Sequence, residues 1–197
     1  MTPPLAVFLE APRLGMVKPR LAEEIGERHA LRLYRVMAAR TLTAVRAAGL
    51  QAIVWFAPSD AGPEMEYWLG TSWELRPQVE GDYGVRLAAA AGVVPRGHPW
   101  IALGAGCPAL SSAVLRDACA GLERAGLVIG PSHGGAYYLI GGRTPLPDVF
   151  TAIPWGSNRV LTETRTRLTR ISATWHELPT LREVETADDA RAEGLLN

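Results

Sequence analysis

"WIALGAGCPALSSAVL", residues 100–115, decides the fold. Residues 100–104 are a short apolar run of the kind buried on both faces of a parallel sheet. The turn Gly104-Ala105-Gly106-Cys107-Pro108 follows, and then Ser111 and Ser112 offer side-chain oxygens to cap a helix running to Ala125. A strand, a glycine turn and a helix in this order form a place where α/β proteins bind phosphate. This turn carries no charged residue, so an anion bound here must be held by groups from elsewhere.

The same unit extends to both sides. Toward the N-terminus the pattern predicts strands over 5–9 and 51–57, a weaker strand over 73–76, and helices over 20–48 and 84–91. Toward the C-terminus it predicts strands over 127–130 and 136–140, and a polar helix from Ser157 to about Ser172. An edge strand over 174–178 follows, then a short helix opened by Thr186, with Asp188 and Asp189 in its first turn. This alternation predicts an α/β fold, one domain over residues 1–197, with a mostly parallel sheet between helical layers. Ligands of such sheets sit beyond the carboxyl ends of the strands. The loops to read are therefore residues 10–20, 77–84, 104–108 and 130–136.

Composition narrows the partners. Hydrophobic residues make up 48% of the 197, charged residues 20%, and the formal net charge is zero. This is a globular composition without the basic footprint of a nucleic-acid binder. The N-terminus has no basic n-region and no run approaches a membrane span, so a soluble, cytoplasmic protein is expected. Cys107 and Cys119 fall at a strand-end turn and far along the next helix, so both are expected to be free thiols.

The first loop, "EAPRLGMVKPRL", sets Gly15, Lys18 (the only lysine) and Arg20 just before a helix, a combination that suits a diphosphate and equally an ordinary solvated loop. In "QVEGDYGVRL", Gly81 and Asp82 make a turn in which Asp82 also serves as a helix cap. The loop "GPSHGGAYYLIGG" is denser in glycine than a turn needs, and Gly134 and Gly135 allow close backbone approach to a ligand or simply a mobile connection. His133 is its titratable side chain, a residue type found at a surface more often than on a metal.

These segments, with "IALGAGCPAL", "PDVFTAIPWGSNRVLTET" and "LPTLREVETADDA", fall in the order and spacing of one bacterial family. The chain resembles the GT-A-fold glycosyltransferase-like proteins associated with arsenosugar biosynthesis. More distantly it is similar to the guanylyl- and cytidylyltransferases that share the nucleotide-diphospho-sugar fold. The resemblance runs nearly end to end. It implies a Rossmann-like GT-A sandwich that binds a nucleoside diphosphate sugar, or a nucleotide, with magnesium or manganese. Residue by residue it implies phosphate-binding roles for Gly15, Lys18 and Arg20, with Pro19 in place of a threonine. It puts Gly81, Asp82 and Gly84 near the nucleotide, and adds Gly104, Gly106, Gly134 and Gly135 to the lining.

Two departures matter. Gly106 stands where the family carries the aspartate expected to bind the metal, and Gly134 stands at a second aspartate. The family's D-x-D-T is Glu183-Val184-Glu185-Thr186, whose two carboxylates share a face of an extended segment, Glu185 being the better placed. With two central carboxylates gone, a hard cation is short of oxygen ligands; Glu185 and His133 remain as weak metal candidates. Three readings follow. The first is a sugar transferase with Glu185 and Asp82 as catalytic groups, working through cationic side chains or through a metal recruited by Glu185, His133 and Cys107. The second is a degenerate homologue that binds nucleotide or a protein partner without chemistry. The third is a nucleotidyltransferase.

Overall fold

The computed structural model describes residues 3–95, 97–143 and 147–197. They form a seven-stranded sheet in the order β3-β2-β1-β4-β6-β5-β7. The strands are β1 (Leu5–Glu10), β2 (Ala52–Ala57), β3 (Glu74–Pro77), β4 (Trp100–Gly104), β5 (Leu127–Pro131), β6 (Tyr137–Gly142) and β7 (His176–Glu177). β1 pairs in parallel with β2 and β4, and β2 with β3, while β6 runs antiparallel to β4 and β5. The mostly parallel α/β sandwich is as expected, with β6 the strand that runs against the others.

Helices α2 (Glu27–Ala47), α3 (Gly62–Leu69) and α5 (Ser112–Ala125) cover one face; α4 (Tyr83–Gly92), α6 (Pro147–Phe150) and α7 (Val160–Arg170) cover the other. The two-residue period of β1 divides its side chains between the layers: Leu5, Val7 and Leu9 join the first core, Ala6 and Phe8 the second. A smaller apolar cluster ties α1 (Pro19–Ile25) and α2 to α8 (Ala187–Ala192), with Leu21, Met37 and Val184 at its centre.

Four sequence expectations change. The helix expected over 20–48 is two helices, broken at Gly26, whose φ of 83° lies in a region that side chains avoid. Helix α3 lies between the second and third expected strands, where the pattern predicts no element; Pro63 is tolerated there because it falls in the first turn. Ser157 does not cap α7. Its hydroxyl donates to the Pro154 carbonyl and accepts from the Arg159 amide, and the helix begins at Val160. The edge strand shrinks to β7. Thr186 does cap α8, through a reciprocal pair of bonds with Asp189.

Candidate functional site

The chain proceeds from β1 outward to β2 and β3, then returns to place β4 on the other side of β1. Connections leave in opposite directions at such a switch point, and a crevice opens beyond the strand ends. Here it is a cavity of about 390 Å³ between the end of β1 (Phe8 to Glu10) and the turn Gly104 to Gly106. A second lobe of about 220 Å³ lies beside it, and Glu10, Gln78 and Arg86 line both.

Lys18 enters this cleft from the first loop. It holds a left-handed conformation, φ 48°, immediately before Pro19 starts α1. Its ammonium lies 2.5 Å from Glu185 Oε1 and 3.9 Å from Glu183 Oε1, and only 12% of its side chain is exposed. Burial pulls its pKa down, but the two carboxylates outweigh burial and leave it above the ordinary lysine value, so the charge is kept. Glu183 is shifted the other way from a simple ion-pair partner. Withdrawal from water raises its carboxyl pKa more than Lys18, at 3.9 Å, lowers it.

Glu183 also explains Gly106. A Cβ built on Gly106 would stand 2.7 Å from Glu183 Oε1 and 2.8 Å from its Cγ. The Val184 amide donates to the Gly106 carbonyl at 2.9 Å, which fixes the C-terminal segment across the turn. The space that a side chain on the turn would take is thus filled by a carboxylate from a different segment. Both Glu183 and Glu185 line the cleft, where the sequence favoured Glu185 alone.

A divalent cation does not fit these groups. Among the described residues no three His, Cys, Asp or Glu side chains converge on one point, whereas hard cations take six or more oxygen ligands. Of the three carboxylates lining the larger lobe, Glu183 and Glu185 already flank an ammonium, and Glu10 stands apart from them at the end of β1. His133 is exposed and lines neither lobe. Cys107 is buried, and burial pushes its thiol far up, so it stays protonated.

Neutral groups build the remaining walls. The Tyr34 hydroxyl accepts from the Glu10 amide at 2.7 Å and donates to the Glu10 carbonyl at 2.8 Å, gripping the last residue of β1. Gln78 Nε2 donates to the carbonyls of Leu9 (3.1 Å) and Trp55 (3.0 Å), and its Oε1 accepts from Arg86 Nη1 at 3.0 Å. Rings form one flank: Phe8 meets Tyr83 edge-on at 5.6 Å, Tyr83 meets Trp155 at 5.3 Å, and Trp155 meets Tyr137 at 6.2 Å. Among the described residues Trp155 Nε1 is buried without a hydrogen-bond partner.

Of the residues expected at the site, Lys18, Gly104, Gly106 and Glu185 line the cleft. Arg20 is exposed and lines neither lobe. Asp82 caps α4 by accepting from the Val85 amide at 2.9 Å, and it too stays outside both lobes. Gly81 contributes through its carbonyl, which accepts from Arg86 Nε. Gly15 turns the loop against Glu27, and Gly134 is exposed. Gly135 packs so closely on the Asn158 backbone that a Cβ there would strike it. Sequence reasoning missed Glu10, Gln78, Arg86, Tyr137 and Trp155. Glu10 and Gln78 lie at strand ends, where the rule already in use could have found them.

The family model described as "Uncharacterized protein conserved in bacteria (DUF2064)" matches residues 41–157. No curated protein matches the chain. Among solved structures, the chain is similar to a candidate nucleotide-diphospho-sugar transferase from Desulfovibrio desulfuricans G20. The TM-score is 0.91 with 28% identity, over 98% of this chain and 87% of that one. It shares its fold with the inositol-1-phosphate CTP transferase from T. maritima (TM-score 0.61, 9% identity, 98% and 94% covered). It also shares its fold with Rv0371c from Mycobacterium tuberculosis H37Rv, solved with manganese (TM-score 0.57, 19% identity, 99% and 98% covered).

Proposed function

This chain belongs to the DUF2064 family, and from that premise we propose that it is a glycosyltransferase-like protein whose cleft takes a nucleoside diphosphate or its sugar conjugate without a divalent metal. The observation that carries this reading is the cleft's position, at the switch point between β1 and β4 and beyond the carboxyl ends of the parallel strands. The smaller lobe has room for the nucleoside. The larger one offers the ring flank of Tyr83, Trp155 and Tyr137 to a sugar.

In a metal-dependent transferase a divalent ion offsets the charge that develops on the leaving diphosphate. In this cleft an ammonium lies between the two carboxylates, so the charge has to be met by side chains. Glu183 and Glu185 line the cleft together with Glu10, and Glu183, whose carboxyl pKa burial raises, is the proton acceptor assigned to an acceptor hydroxyl. A nucleotidyltransferase is the second reading, favoured by the fold shared with the T. maritima CTP transferase.

The test is calorimetric titration with nucleoside diphosphates, their sugar conjugates and nucleoside triphosphates, in chelator and in manganese. Binding of a diphosphate or diphospho-sugar in chelator, unimproved by manganese, is the expected result. Binding of triphosphate alone moves the assignment to nucleotidyl transfer. Binding of none overturns both readings.

A further inference from the structure

We propose that Arg86, held in place by Gln78, anchors the phosphoryl anion in this cleft, a role that Lys18 does not fill. This rests on the cleft being a phosphate-ester site, and it names the group that makes it one.

The charged side chains lining the two lobes include two cations, Lys18 and Arg86. Lys18 is already committed. Its ammonium touches Glu185 and has Glu183 nearby, so an incoming anion would have to compete with two carboxylates for a charge that is already neutralised. Arg86 has no carboxylate within 4 Å among the described residues. Its two bonds go to neutral acceptors, Nη1 to Gln78 Oε1 at 3.0 Å and Nε to the Gly81 carbonyl at 3.2 Å. A guanidinium carries five N–H donors. The remaining donors include both on Nη2, and no ion pair within 4 Å among the described residues neutralises their charge, Glu10 acting on it only from a greater distance. A guanidinium end with free donors suits the two-oxygen edge of a phosphate, which a lysine can meet only as a point charge.

The neighbours fix this orientation. Gln78 Nε2 donates to two strand-end carbonyls, Leu9 and Trp55, and carbonyls can only accept. The amide oxygen must therefore face Arg86, so the side-chain flip is decided by chemistry. The Gln78 amide N–H also donates to the Phe56 carbonyl, at 2.8 Å. The cation is thus braced by the ends of β1 and β2 before any ligand arrives, which lowers the ordering cost of binding. It stands where the two lobes meet, as a phosphoryl bridge between a nucleoside and a sugar requires. Glu10 lines the same junction, an acceptor for the hydroxyls that flank such a bridge.

The experiment is equilibrium binding of ADP, CDP, GDP, UDP and inorganic pyrophosphate in chelator, with the unphosphorylated nucleosides as a second series. Proteins compared are the wild type, Arg86→Met, Arg86→Lys, Gln78→Leu and Lys18→Met. Arg86→Met should weaken diphosphate binding by about tenfold or more, as for loss of a charged hydrogen bond, and leave nucleoside binding unchanged. Arg86→Lys should recover part of the loss. Gln78→Leu, a positioning variant, should lose several-fold for diphosphates and nothing for nucleosides. Lys18→Met should change diphosphate affinity by less than about threefold. Should it unfold, the double variant Lys18→Met/Glu185→Gln, which neutralises the nearer of the two stranded carboxylates, takes its place. Full diphosphate affinity in folded Arg86→Met, or a larger loss from the Lys18 variants than from Arg86→Met, overturns the proposal. Pyrophosphate binding that depends on Arg86, with no preference for any nucleoside diphosphate, keeps the anchor and overturns the nucleotide reading. Absence of all phosphoryl binding in the wild type overturns both.

Discussion

The side chain of Glu183 fills the volume that a side chain at Gly106 would need. The turn and the C-terminal segment are therefore matched to each other, and neither can be changed alone. Gly106→Asp should overpack the site and cost about 1–3 kcal/mol, read as a shift of the denaturant midpoint at unchanged slope. Adding Glu183→Ala should recover most of that loss. A single Gly106→Asp variant as stable as the wild type would show that Glu183 moves aside freely.

Lys18 makes a prediction about pH. Its pKa in the folded protein lies above the ordinary value of 10.5, because two carboxylates outweigh burial. A raised folded pKa contributes stability that is complete below the unfolded pKa and is lost as pH climbs through the folded one. The wild type should lose stability as pH rises beyond about 10.5, and Lys18→Met should lack that step. At neutral pH Lys18→Met should be less stable by about 1–3 kcal/mol, the partly exposed pair being discounted from the fully buried case. Parallel stability curves for the two proteins at alkaline pH would contradict this.

Tyr34 should matter through one oxygen. Tyr34→Phe removes both bonds to the Glu10 backbone and leaves a strand-end amide and carbonyl to find water. The expected cost is about 1–3 kcal/mol. Hydrogen exchange at the Glu10 amide should rise more than at the Val7 amide deeper in the strand.

The two thiols should differ in accessibility. Cys107 is 2% exposed, and burial raises its pKa strongly; Cys119 is only partly buried. At about pH 8, near the ordinary thiol pKa, a thiol reagent should label Cys119 first, and Cys107 at a rate that follows unfolding. Prompt labelling of Cys107 in the native protein would mean that the turn opens.

Much of this fold can be read from residue order. β1 and β4 declare themselves as apolar runs closed by glycine or proline, and the switch point follows from strand and helix alternating. Helix α3 escaped because Pro58, Ser59, Asp60, Gly62 and Pro63 crowd its start, and turn chemistry there looks the same as a helix's first turn. In the site, Lys18, Gly104, Gly106 and Glu185 follow from strand-end position and the family's spacing. The Glu183 contact does not, since it depends on which distant residue is laid across the turn. Nor does the bracing of Arg86. Its partner Gln78 is 8 positions away in sequence, but what aims the amide is a pair of backbone carbonyls on other strands.

Lys18 and Glu185 are 167 positions apart, so they leave the ribosome at different times. At synthesis rates of about 5–20 residues per second, the lysine waits roughly ten seconds or more for its counter-ion. By the end of that interval all seven strands have been made, while the cleft still has an unpaired ammonium and no Glu183 over Gly106. The nascent domain is therefore more cationic at this cleft than the finished one. Polyanions should associate with a chain stalled before residue 183 and dissociate once the last segment docks.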